Sequence, residues 1–92
     1  MMRLIIFAVG AVGVKLYWYK GRCNLSGAKI QQLRTEMGIS QEQLAAKLQL
    51  MGIEISQNSI SRIECGKRVV PDFELKYFAE FFQKPVEWFL AE

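Results

Sequence analysis

There is no histidine in this chain, and that absence alone removes histidine-dependent triads, histidine metal ligands and imidazole acid–base chemistry. Cysteine is scarce: Cys23 and Cys65 stand far apart and lack metal-type spacing. Nine acidic residues are present, but no two form an evident catalytic pair, and each reads as part of a solvated helix face. No enzyme, no metal site and no cofactor is expected.

Positive charge is also thinner than it looks. The formal net charge is +3, but Arg3, Lys15, Lys20 and Arg22 all precede Asn24, leaving eight basic residues against nine acidic ones in the rest. A polyanionic partner must therefore be argued from where charges sit rather than from their sum. They do segregate. Arg62, Lys67 and Arg68 cluster together, while Asp72, Glu74, Glu80, Glu87 and Glu92 crowd the last third. Nor is there a long uninterrupted hydrophobic run. Leu4 to Val14 is apolar and contains Gly10 and Gly13, but eleven residues span only about 16 Å as a helix, against a bilayer core of about 30 Å.

With Lys15 to Tyr19 included, residues 4–19 become marginally long enough to enter a membrane. The excess of Lys15, Lys20 and Arg22 over Arg3 would then leave the C-terminal part in the cytoplasm. Residues 1–22 thus read as a hydrophobic N-terminal extension. An appended segment or a start assigned too early ranks first, a membrane anchor second and an export signal last, and a short hairpin or helix that covers an apolar patch is a further alternative. Half of the residues are hydrophobic, so the remainder, residues 24–92, has the means to bury a core as one small helical domain.

What the chain does have is the stretch from Ser40 to Lys67, which carries two helical signatures in succession. Ser40 with Gln43 three residues later forms a capping box that starts a helix at Gln41. Leu44, Ala45, Leu48 and Met51 recur on one face, and Gly52 stops it. Ser56 opens the second helix, Ile60 and Ile63 make a narrow apolar stripe, and Gly66 ends it. Gln57, Asn58, Ser61 and Arg62 are left pointing outward. All four can hydrogen-bond to base edges, and Gln, Asn and Arg do so with two bonds at once.

These residues resemble the helix-turn-helix of the phage repressor and Cro family: Gln41, Leu44-Ala45, Ser56, Ile60, Ile63-Glu64 and Gly66-Lys67. Upstream, Ile30, Leu33-Arg34 and Gly38 to Gln41 are similar to its first helix and exit turn. Downstream, Asp72 to Phe82 and Pro85 to Leu90 are similar to its fourth and fifth helices. The resemblance covers about residues 24–90 and implies an all-α, five-helix repressor-like DNA-binding domain. It also implies a structural ion pair between Arg34 and Glu64, tying the first helix to the third. Two departures stand out. Cys65 replaces the family's usual asparagine, and the link between the second and third helices is about five residues longer than a tight turn. Leu50-Met51 should extend the second helix, with Ile53 or Ile55 filling the core.

The expected function is that of a cytoplasmic transcriptional regulator, a repressor, which binds double-stranded DNA as a homodimer. Gln57, Asn58, Ser61 and Arg62 are the expected base readers. Gln41, Ser56, Ser59, Lys67 and Arg68 are the expected phosphate contacts. Around this, Ile30, Leu33 and Met37 should line the first helix, Asp72 should cap the fourth and Pro85 should begin the fifth. Surplus aromatics around Phe81, Phe82, Trp88 and Phe89 offer a dimer surface. The alternative is a protein-interaction module, such as an antitoxin-like or membrane-anchored regulator.

Overall fold

A computed structural model of the chain describes residues 18–92. The expectations placed on residues 4–14 and on Arg3 and Lys15 lie outside the described residues. Among the described residues five helices follow in order: α1 (Gly27–Glu36), α2 (Gln41–Leu50), α3 (Gln57–Glu64), α4 (Asp72–Phe82) and α5 (Val86–Leu90). The domain is all-α, as the periodicities and the resemblance implied.

The helix starts at the centre of the motif follow local chemistry. The Ser40 hydroxyl accepts from the Gln43 backbone N–H while the Gln43 side chain accepts from the Ser40 N–H, a complete capping box. Ser56 caps α3 by accepting from the Ser59 N–H at 3.1 Å. Two other expected starts are corrected. Asp72 is the first residue of α4 rather than its cap, because Pro71 holds the extended cap conformation; its carboxylate instead favours the positive end of the helix. Pro85 likewise precedes α5 instead of opening it.

The core is formed by Ile30, Leu33, Leu44, Leu48, Ile53, Ile55, Ile60, Ile63, Leu75, Phe78, Ala79 and Phe89. Each large side chain hidden there stabilises the fold by about 1.5–3 kcal/mol. Packing places α3 against both α2 and α1, while α5 lies on α4. Met37 and Met51 do not join this core, contrary to the periodic pattern: both sit one residue past their helix and about half of each is exposed. The stripe ends where the helix ends. The long link between α2 and α3 spans residues 51–56, and both Ile53 and Ile55 are buried. The extra length is thus anchored by two side chains, and Leu50 gains no cover from it, remaining 89 % exposed.

The aromatic surplus closes on itself. Phe81 meets Phe82 edge-on at 4.9 Å, Trp88 meets Phe89 edge-on at 5.3 Å, and Phe82 lies 6.5 Å from Phe89. Such edge-on pairs add about 0.5–1.5 kcal/mol beyond area burial. The aromatics left most exposed in this half are Phe73 and Tyr77, one turn apart on α4. Among the described residues, no helix is long and apolar enough to cross a membrane.

Candidate nucleic-acid interface

An eight-residue helix such as α3 is too short to hold its own direction in water, so its geometry depends on its attachments. Ile60 and Ile63 bury one face completely. On the other, Gln57, Asn58 and Arg62 are exposed and Ser61 is half-buried. The four residues expected to meet bases therefore share one surface, on which Ser61 is the least open.

Glu64, at the end of α3, is the main attachment. Its side chain is 1 % exposed, which for an unpaired carboxylate would cost several kcal/mol. Three donors surround it: Arg34 Nε at 2.7 Å, Arg34 Nη2 at 3.0 Å and Gln41 Nε2 at 2.9 Å. Arg34 Nη1 also donates to the Ile39 carbonyl at 2.8 Å. The Glu64 hydrogen bonds raise the affinity of Arg34 for its proton, with burial opposing them and Coulomb attraction helping. No buried side-chain polar atom among the described residues lacks a partner. This pairing joins α1 to α3, and Gln41 adds α2 to the same carboxylate.

Gln41 carries the connection further. Its Oε1 accepts from Gln57 Nε2 at 2.9 Å, so the first residue of α3 is held by the first residue of α2. Gln41, of which a phosphate contact is expected, places its Oε1 and one Nε2 hydrogen on protein partners.

The other expected phosphate ligands differ in how open they are. Lys67 is exposed. Arg68 is engaged: Nη1 donates to Glu74 Oε1 at 2.7 Å and Nη2 to Glu74 Oε2 at 3.0 Å. The same contact raises the Arg68 proton affinity, chiefly through the Glu74 hydrogen bonds. Ser56 Oγ accepts the Ser59 amide and donates to Ser59 Oγ at 3.1 Å. Arg62 Nη2 donates to the Lys67 carbonyl at 3.3 Å, a long bond on an exposed side chain.

Two further residues, neither marked by the sequence pattern, attach to the end of α3. Arg22 Nη2 donates to the Glu64 carbonyl at 2.8 Å. Asn24 Nδ2 donates to the carbonyls of Ile63 at 3.0 Å and Arg68 at 2.7 Å, while its Oδ1 accepts from the Gly27 N–H at 2.7 Å. The Asn24 side chain thus meets the first N–H of α1 from three residues upstream. Ser26 occupies the position just before the helix, but its side chain makes no cap bond.

A family model described as helix-turn-helix matches residues 30–89, well over half of the chain. The comparisons with curated proteins and with solved structures gave no match.

Proposed function

The chain belongs to the Cro/C1-type helix-turn-helix family of DNA-binding transcription regulators, and from that premise we propose that it reads duplex DNA sequence-specifically with α3 in the major groove. The observation that carries this is the exposed face of Gln57, Asn58 and Arg62 on a helix whose opposite face is buried. Those polar side chains sit together on one face of a helix anchored by its buried side.

Gln57, Asn58 and Arg62 read base edges, each good two-bond contact discriminating by about 1–3 kcal/mol. Ser61, short and half-buried, contributes less. Lys67 contacts phosphate, as do the backbone amides at the start of α2 beside Gln41 and at the start of α3 beside Ser56 and Ser59. Arg68 joins them only when it releases Glu74. A homodimer places two copies of α3 about 34 Å apart on an inverted repeat, and a bound dimer represses by occluding the promoter.

A second reading, a protein-interaction module of the antitoxin kind, draws on the exposed Phe73–Tyr77 pair, whose rings lie 6.4 Å apart on α4. Replacing Gln57, Asn58 and Arg62 together by alanine separates the two. The triple variant should melt like the wild type and bind duplex DNA without sequence preference. Unchanged preference in that variant would move the function to another surface.

A further inference from the structure

Given that α3 enters DNA as proposed above, we infer that Arg22 is a positioning residue for base reading. It clamps the C-terminal end of α3 from the segment that precedes the helical domain.

The clamp begins with a tight turn. Tyr19 and Arg22 exchange both backbone hydrogen bonds, at 2.6 and 3.0 Å, and the two residues between them, Lys20 and Gly21, take φ of 53° and 83°. This two-residue turn, with both central residues at positive φ, reverses the chain without splaying its arms. Arg22, Cys23 and Asn24 then run along the end of α3. The last carbonyls of any helix lack partners within it; the turn after α3 serves those of Ser61, Arg62 and Ile63, and the segment adds bonds to the Glu64 and Ile63 carbonyls and to those of Gly66 and Arg68 just beyond. Arg22 takes Glu64, the Cys23 N–H takes Gly66 at 2.7 Å, and Asn24 takes Ile63 and Arg68. A cation at this end also suits the negative pole of the helix.

Two glycines make the approach close enough. A Cβ on Gly66 would fall 2.7–2.9 Å from Arg22 Cζ, Nε and Cγ. A Cβ on Gly27 would fall 2.0 Å from the Ile63 carbonyl oxygen and 2.9 Å from Arg22 Nη2. The Arg22 side chain therefore lies across the turn that ends α3, in space that any other residue at position 66 would take.

Glu64 is thus held twice. Arg34 and Gln41 fix its carboxylate, and Arg22 fixes its carbonyl. An eight-residue helix is about 12 Å long, so a shift of about 1 Å at one end tilts it by about 5°. Hydrogen bonds to base edges tolerate little of that. Two Arg22 nitrogens donate to protein carbonyls, Nη2 to Glu64 at 2.8 Å and Nε to Asn24 at 3.4 Å, so its effect is inferred to pass through the aim of α3 rather than through a phosphate contact, which the salt slope distinguishes.

The test uses the full chain and duplexes enriched from a random pool, with unselected random duplex as the competitor. Affinity for each is measured at two salt concentrations, for the wild type, Arg22→Ala, Arg22→Lys and Lys67→Ala. Arg22→Ala should lower the enriched-to-random affinity ratio by about tenfold, the scale of one lost hydrogen bond to a charged group. Its salt slope should match the wild type. Arg22→Lys, which keeps the charge and one donor, should recover part of the ratio. Lys67→Ala should lower the slope by about one and spare the ratio. Amide exchange at Cys23, Gly66 and Lys67 should quicken in Arg22→Ala. A slope reduced by about one in Arg22→Ala would make Arg22 a phosphate ligand, and an unchanged ratio with faster exchange would leave it merely structural; either overturns the inference. Should Arg22→Ala fail to fold, Arg22→Lys and Arg22→Gln carry the same comparison. A wild-type chain without any preference would instead sink the DNA reading itself, a result distinct from these.

Discussion

Gln57 Nε2 donates to Gln41 Oε1 at 2.9 Å, and Gln41 Nε2 donates in turn to Glu64 Oε1 at 2.9 Å. A base-reading candidate is thereby connected, through one intervening amide, to the buried ion pair that joins α1 and α3. With one N–H of Gln57 engaged by α2, its orientation is chosen before any DNA arrives, which lowers the ordering cost of binding. Gln41→Ala should therefore weaken discrimination at the base pair read by Gln57 by about tenfold, within the range of one two-bond contact. Positions read by Arg62 should change less. Affinities for a set of single-base variants of the enriched site would reveal the pattern, and a uniform loss at every position would contradict it.

Arg34 sets the largest stability prediction. Its removal in Arg34→Ala leaves the Glu64 carboxylate, 1 % exposed, with Gln41 as its remaining side-chain donor. The expected cost is about 3–5 kcal/mol, a large part of the 5–15 kcal/mol typical of a whole domain. The double change Arg34→Met with Glu64→Leu should recover most of that, because an apolar pair carries no desolvation cost. Chemical denaturation of both variants decides it. A loss under about 1 kcal/mol in Arg34→Ala would mean the pair is no more than a surface contact.

Lys67 and Arg68 are neighbours with the same charge and should behave differently. Lys67→Ala should reduce the salt slope of DNA binding by about one with little effect on melting. Arg68→Ala should instead lower stability, since Glu74 is only 13 % exposed at its side chain and loses both bonds. Its effect on the slope should be the smaller of the two. Equal slopes for the two variants would show that Arg68 exchanges Glu74 for phosphate on binding.

The two ends of the described chain meet at Glu92, which accepts from Lys20 Nζ and from Tyr19 OH, both at 2.9 Å. The Lys20 hydrogen bond, then the Tyr19 one, hold the Glu92 carboxyl below its ordinary range; Lys20 is correspondingly raised, chiefly by its bond to Glu92. A lowered carboxylate contributes stability that is present above its ordinary pKa and lost as the pH falls through the lowered value. A raised lysine contributes stability present below its ordinary pKa and lost as the pH rises through the raised value. The contact should therefore persist between those limits and open beyond either. NMR titration of the Glu92 carboxyl should show the downward shift, with Lys20→Ala and added salt each reducing it, as befits an exposed pair. A shift that survives Lys20→Ala in full would assign its cause to Tyr19.

Much of the fold was legible because its signals are local. Ser40 with Gln43, Ser56 before the Ile60 and Ile63 stripe, and the glycines after the first three helices are choices a few residues long, and short-range chemistry decides them. The errors fall where a pattern outruns its element. Met37 and Met51 continue the apolar spacing but sit past the last helical residue, where the chain has turned away. Asp72 looked like a cap because caps are read by residue type, whereas the extended backbone of Pro71 took the position. The least legible feature was the attachment of Arg22 and Asn24 to the end of α3. Those residues are about forty positions from their partners in sequence, and a carbonyl at a helix end leaves no mark on residue identity. Arg68 and Glu74, six residues apart, were nearer to being readable, but charge segregation suggested a free cation there.

The most direct measurement is selection of bound sequences from random duplex DNA, carried out with the full chain at two salt concentrations. The account predicts one enriched sequence arranged as an inverted repeat, whose affinity falls steeply with salt, and which the Gln57, Asn58 and Arg62 triple-alanine variant no longer prefers. A pool that stays random, or an enriched site that the triple variant still selects, would contradict it.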